Sequence, residues 1–171
     1  MGDFIHAVLS SIEFLFPFRI VHQWEQGGYY IFGRFWKTVG PGCYFVVPFF
    51  TWLSEVSVVP YMVATPRLDV TLLDGKNLSF YASAWAQVVD YNLAHNTVED
   101  FQATTKELVE AVIADRLARV KPSRMEPENR ADLLRDLTEW CNNETAQFGI
   151  SISKVRFSTF VLNARTYRII N

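Results

Sequence analysis

Residues 40–50 read Gly-Pro-Gly-Cys-Tyr-Phe-Val-Val-Pro-Phe-Phe, a turn that opens onto an apolar, aromatic run broken by a proline. A second apolar stretch, residues 4–21, lies upstream, and Arg34 and Lys37 stand between the two. A bilayer-spanning helix needs ~20 predominantly apolar residues. The upstream stretch is shorter and carries Glu13 ahead of Pro17. Two apolar segments of sub-spanning length, separated by cations, predict a chain that dips into one leaflet rather than one that crosses.

The rest of the chain has a different character. Phenylalanine is over-used at 14 of 171 residues, and the excess crowds the first third, from Phe4 to Trp52. Beyond it the pattern is that of an ordinary soluble domain, and the length suits one domain or two small ones. A formal net charge of −2 gives no electrostatic case for nucleic acid as a partner. Two isolated cysteines, Cys43 and Cys141, make neither a disulfide framework nor a zinc site. A reduced, cytoplasm-facing compartment follows as the simpler expectation. The amino terminus, Met1-Gly2-Asp3, is not basic, and no small-residue cleavage site follows the apolar stretch, so no signal peptide is expected.

In residues 4–16, His6, Ser10 and Glu13 form a narrow polar stripe at helical spacing, with apolar residues filling the remainder. Asp3 can cap this helix and Pro17 stop it. A short strand is expected over residues 29–35, between glycines, and residues 44–50 form a strand or a membrane-dipping loop. Residues 55–63 read as a further strand. Residues 68–72 and 78–90 are joined by Asp74-Gly75-Lys76-Asn77, and Asp-Gly is a strong hairpin signal. In the longer strand Phe80, Ala82, Ala84, Ala86 and Val88 line one face. Two helices follow. The first opens at Thr97, with Asp100 three residues on, and closes at Pro122. The second has Pro127 in its first turn, a stripe of Leu133, Leu134, Leu137, Trp140, Cys141 and Phe148, and Gly149 as its cap. Residues 150–157 form the last strand.

Catalytic motifs are missing. The sequence contains no phosphate-binding loop, no GxGxxG after a strand, no HExxH and no GxSxG. His6, His22 and His95 are far apart, and the carboxylates do not pair. A non-enzyme without cofactor or metal is therefore expected. Asp115, Arg116, Arg119 and Arg124 are a candidate oligomer contact, because interspersed charges set the register between partners. Cys43, at the mouth of the second apolar segment, is a candidate acylation site.

The order of these features resembles a known family. An apolar anchor precedes a glycine-flanked strand with Gly33-Arg34, and Gly40-Pro41-Gly42 leads to Val47-Pro48. Glu55-Val56-Ser57-Val58 comes next, then the hairpin around Asp74-Gly75, two helices, and Phe148-Gly149-Ile150 ahead of Lys154-Val155-Arg156-Phe157. This layout is similar to the SPFH (Band 7) domain of stomatins, prohibitins and flotillins over roughly residues 26–160. The resemblance implies an α+β domain of small antiparallel sheets and helices, preceded by an apolar membrane-associating helix. It implies a membrane-associating segment at 1–25, a domain at 26–160 with a membrane-proximal part at about 26–65 and a distal part at about 66–160, and a tail at 161–171. It also implies lateral assembly with identical or related SPFH subunits, lipids as partners, and a membrane protease or channel as client. The family's long coiled-coil helix after the domain has no heptads to match it after Phe160, so the expectation is either assembly through contacts between domains or a minimal or truncated form that co-assembles with or antagonises a longer partner.

Two functional expectations follow. The leading one is a membrane-associated, oligomerising scaffold facing the cytoplasm. Phe4, Val8, Ile12, Phe16, Phe45, Phe49, Phe50 and Trp52 would associate with the membrane, each contributing ~1.5–3 kcal/mol at full burial. Arg19, Arg34 and Lys37 would add attraction to anionic headgroups. The alternative is a soluble interaction module whose apolar first third docks on a partner protein.

Overall fold

The computed structural model describes residues 17–126 and 128–163. The expected anchor helix, with Phe4, Val8, Ile12 and Phe16, lies outside the described residues, as does Pro127. The chain divides between Val59 and Pro60 into two compact units.

The first unit is all β. β1 (Phe18–Val21) pairs antiparallel with β4 (Gly42–Phe45). β2 (Glu25–Ile31), β3 (Arg34–Val39) and β5 (Thr51–Ser57) form a three-stranded antiparallel sheet with β2 in the middle. The segment expected as one strand over 29–35 is a hairpin. It reverses at Phe32-Gly33, where both residues have positive φ (50° and 77°). A two-residue loop of this kind matches the twist of the flanking strands. The continuous aromatic run on both sides of Gly33 hides that reversal from a periodicity reading. Gly27 is tightly packed: a Cβ there would meet Val39 Cγ2 at 3.0 Å and Leu53 Cδ1 at 3.2 Å.

The second unit is a sheet with helices on one side. β6 (Tyr61–Ala64) and β7 (Leu68–Thr71) pair with successive stretches of β8 (Asn77–Val88), and β9 (Ile150–Asn163) runs along the other edge of β8. All pairings are antiparallel. The stretch 55–63 is not one strand: β5 ends at Ser57 and β6 starts after Pro60, which cannot donate to a ladder. The Asp74-Gly75 hairpin forms as expected, with the Leu72 N–H donating to the Lys76 carbonyl at 2.9 Å and Gly75 at φ 78°.

Three α-helices follow. α1 (Tyr91–Asn96) was not foreseen, and Asp90 caps it, accepting from the Asn92 N–H at 2.9 Å and the Leu93 N–H at 3.3 Å. α2 (Phe101–Ala118) is capped by Asp100 itself rather than by Thr97, through the N–H groups of Gln102 (2.9 Å) and Ala103 (3.0 Å). A 3₁₀ turn at Pro122–Met125 leads to α3 (Arg130–Ala146). Leu78, Phe80, Ala82, Ala84 and Ala86 of β8 meet Val109, Ile113 and Leu117 of α2 and Leu133, Leu137 and Cys141 of α3 in one core. Burial pushes the Cys141 thiol up to about 12, so it behaves as a small core hydrophobe.

Gly149 stands three residues beyond the end of α3, where the chain turns into β9. Its carbonyl accepts from the N–H groups of Val89 (2.9 Å) and Asp90 (3.1 Å). On its outer edge β9 is covered by α3: the Ile152 N–H donates to Asn142 Oδ1 (2.9 Å) and the Val155 N–H to Thr138 Oγ1 (3.0 Å).

Candidate functional site

Phe32, Phe49, Phe50 and Trp52 gather at one end of the three-stranded sheet. Ile31 lies opposite Thr51 and Tyr30 opposite Trp52, so the β2–β3 turn and the start of β5 share that end. The Phe32 N–H donates to the Phe50 carbonyl at 2.8 Å, and the two rings stack edge to face with centroids 5.5 Å apart. Phe49 is 92% exposed, Phe32 72%, Trp52 68% and Phe50 53%. Arg34 follows the turn and is exposed. Large apolar side chains exposed together make this end a candidate binding surface.

A short loop fixes this end. The Val47 carbonyl accepts from the N–H groups of Phe50 (3.2 Å) and Thr51 (2.9 Å), and the Val47 N–H donates to Thr51 Oγ1 at 2.7 Å. The backbone of Phe49 sits in the left-handed region at φ 70°. That conformation costs a non-glycine residue of order 1–3 kcal/mol and tends to persist where function uses it. Pro48 precedes it with its missing N–H in the loop, which explains the proline inside an apolar run.

A second apolar surface lies on the β1–β4 ribbon. Phe18 pairs with Phe45 and Ile20 with Cys43, and all four are exposed on the same face. The Phe18 and Phe45 rings meet edge to face at 5.5 Å. Lys37 Nζ lies 4.5 Å above the Trp36 ring. His22 stacks on Trp24 at 4.9 Å, and its Nδ1 is 3.0 Å from Glu25 Oε2. The His22 N–H and ring hold the Glu25 carboxyl below its usual range.

No group of three His, Cys, Asp or Glu side chains among the described residues is placed to hold a metal ion. No helix among the described residues is long and apolar enough to cross a membrane.

The SPFH domain / Band 7 family model matches residues 19–171. The chain belongs to the SPFH (Band 7) family. Its α+β build of small antiparallel sheets and a few helices accords with that membership. A protein of Archaeoglobus fulgidus, described only as uncharacterized, is 25% identical over 151 residues, which cover 88% of this chain. The chain spans 60% of that relative's length.

Within this SPFH domain the site residues expected from sequence fall in two places. Phe45, Phe49, Phe50 and Trp52 are all exposed in the first unit, with Cys43 beside Phe45 on β4. Phe32 joins them in the structure, although the sequence pattern around it reads as strand rather than turn. The only signal was the single glycine after it. The charged residues Asp115, Arg116, Arg119 and Arg124 belong to the second unit. Arg119 bonds Asp115 at 2.7 Å, Arg116 lies over Trp140 at 4.9 Å, and Arg124 bonds Asp136 at 2.8 Å. Each of the three arginines thus has a partner within the chain. Only Asp115 and Arg119 share the exposed side of α2.

Proposed function

We propose that this SPFH domain is a membrane-associated, oligomerising scaffold that organises a patch of membrane or a membrane protein complex. The observation that carries this reading is the aromatic end of the first unit: Phe32, Phe49, Phe50 and Trp52, held outward by a hydrogen-bonded loop. Phenyl and indole side chains at one edge suit the boundary between headgroups and acyl chains. Arg34 beside them suits anionic headgroups. The β1–β4 face with Phe18, Ile20 and Phe45 would extend the buried surface, and an acyl chain on Cys43 would enter the same layer. No catalytic step belongs to this reading. The partners it calls for are lipids, further SPFH subunits, and a membrane protease or channel as client, with the domain on the cytoplasmic side.

The test is flotation of the full chain with liposomes that contain anionic lipid. The unmutated chain floats. Phe49→Asp with Phe50→Asp removes two side chains worth ~1.5–3 kcal/mol each, so binding falls by roughly a hundredfold or more while the circular dichroism spectrum is retained. An unmutated chain that stays with the soluble fraction, and binds a protein through the same end, would replace the membrane by a protein partner.

A further inference from the structure

One side of the second unit's sheet is left open. α2 and α3 cover the side of β8 that carries Leu78, Phe80, Ala82, Ala84 and Ala86. Tyr81, Ser83 and Trp85 alternate onto the other side. The register places Met62 and Lys154 across from Trp85, and Ala64 and Arg156 across from Ser83. Met62, Tyr81 and Trp85 are exposed, and no element of this unit covers them. The small Ala64 and Ser83 leave a shallow strip between the larger residues. Lys154 and Arg156 are exposed at its rim, and neither is in an ion pair among the described residues. The solvated face of an antiparallel sheet is ordinarily polar, so aromatic rings flanked by unpaired cations call for a partner.

The far side of the same unit carries the complement. Ala103, Glu107, Ala111 and Asp115 recur at steps of four along α2, and all are exposed. Residues so spaced form one stripe of a helix. Asp115 is held by Arg119, whereas Glu107 is in no ion pair among the described residues. Alanines on either side of Glu107 let a flat surface approach the helix closely. The open sheet face therefore offers rings and cations, and the α2 stripe offers small residues and a free carboxylate.

We infer that copies of this chain stack head to tail, the α2 stripe of one on the open sheet face of the next. Glu107 meets Lys154 and Arg156 of the neighbour, and Ala103 and Ala111 lie against its Tyr81 and Trp85. This inference rests on the oligomeric scaffold reading and names the contact that it leaves open. The two surfaces differ, so each added copy exposes a fresh one. Such a contact closes into a ring or continues as a filament according to the rotation per step.

The experiment uses the full chain, solubilised in detergent, in a Cys43→Ser background that leaves only the buried Cys141. Ser83→Cys and Ala111→Cys together give a ladder of disulfide-linked multimers on mild oxidation, and either change alone gives none. Absence of the ladder overturns the inference. So do dimers from Ser83→Cys alone, which would mean that two sheet faces meet. Independently, Lys154→Glu with Arg156→Glu weakens assembly at least tenfold by mass photometry, and adding Glu107→Lys restores it. Unchanged assembly, or no restoration in a variant with native circular dichroism, overturns the inference. Flotation of the same proteins separates the two readings. A chain that floats but gives no ladder sinks the stacking contact alone. A chain that gives the ladder but does not float supports stacking and sinks the membrane reading.

Discussion

Single residues in this SPFH domain are held by backbone conformation as much as by side-chain contacts. Gly149 has φ 68°, and a Cβ there would sit 2.5 Å from the Asp90 carbonyl oxygen and 2.9 Å from Leu93 Cβ. Neither obstacle is the end of a flexible side chain. Gly149→Ala is expected to lower stability by about 3 kcal/mol, at the upper end of ordinary single substitutions, as a shift in the urea midpoint at unchanged slope. Asp69 gives a pH-dependent case. The Ser79 hydroxyl donates to its carboxylate, and Arg67 adds a charge nearby, which together hold its pKa below the usual 3.8. A depressed carboxyl pKa contributes stability that is present above the unfolded value and lost as pH falls through the folded one. Ser79→Ala should therefore raise the Asp69 pKa towards 3.8 in an NMR titration and flatten the acid limb of stability below about pH 4. An Asp69 titration unmoved by the substitution would place the cause elsewhere.

At the level of elements, the legible parts were those with a local signal. Asp74-Gly75 marked the β7–β8 hairpin, and the alternation of Phe80, Ala82, Ala84, Ala86 and Val88 marked the buried face of β8. The same strand supplies a test. Ala84 and Ala86 are fully buried in the core that β8 shares with α2 and α3. Ala84→Leu should cost about 1–3 kcal/mol by overpacking, whereas a leucine at the exposed Gln87 should change little, both read from urea unfolding. The missed elements lacked such a signal. The Phe32-Gly33 turn interrupts a run in which nearly every residue favours a strand. α1 is only six residues long and follows β8 directly, so Asp90 read as a strand end although it is a helix cap. Asp100 read as the partner of a cap because Thr97 stood in the expected place, and the structure gives Asp100 that role. The exposed positions of Phe45, Phe49, Phe50 and Trp52 were legible as composition. The loop that holds them was not, since it depends on hydrogen bonds between Val47 and Thr51.

For the molecule as a whole, the proposed scaffold role would be carried by surfaces. If the aromatic end drives attachment, flotation should survive 1 M salt, where the screening length is about 3 Å. Arg34→Glu with Lys37→Glu should weaken attachment at low salt and have little effect at high salt. Release of the unmutated chain by salt alone would transfer the main role from the rings to the cations. The covered edge of β9 bears on assembly in another way. Where Asn142 and Thr138 already take up the Ile152 and Val155 N–H groups, a stray extended segment finds those rungs occupied. Along that stretch the chain is closed to recruitment by cross-β templating.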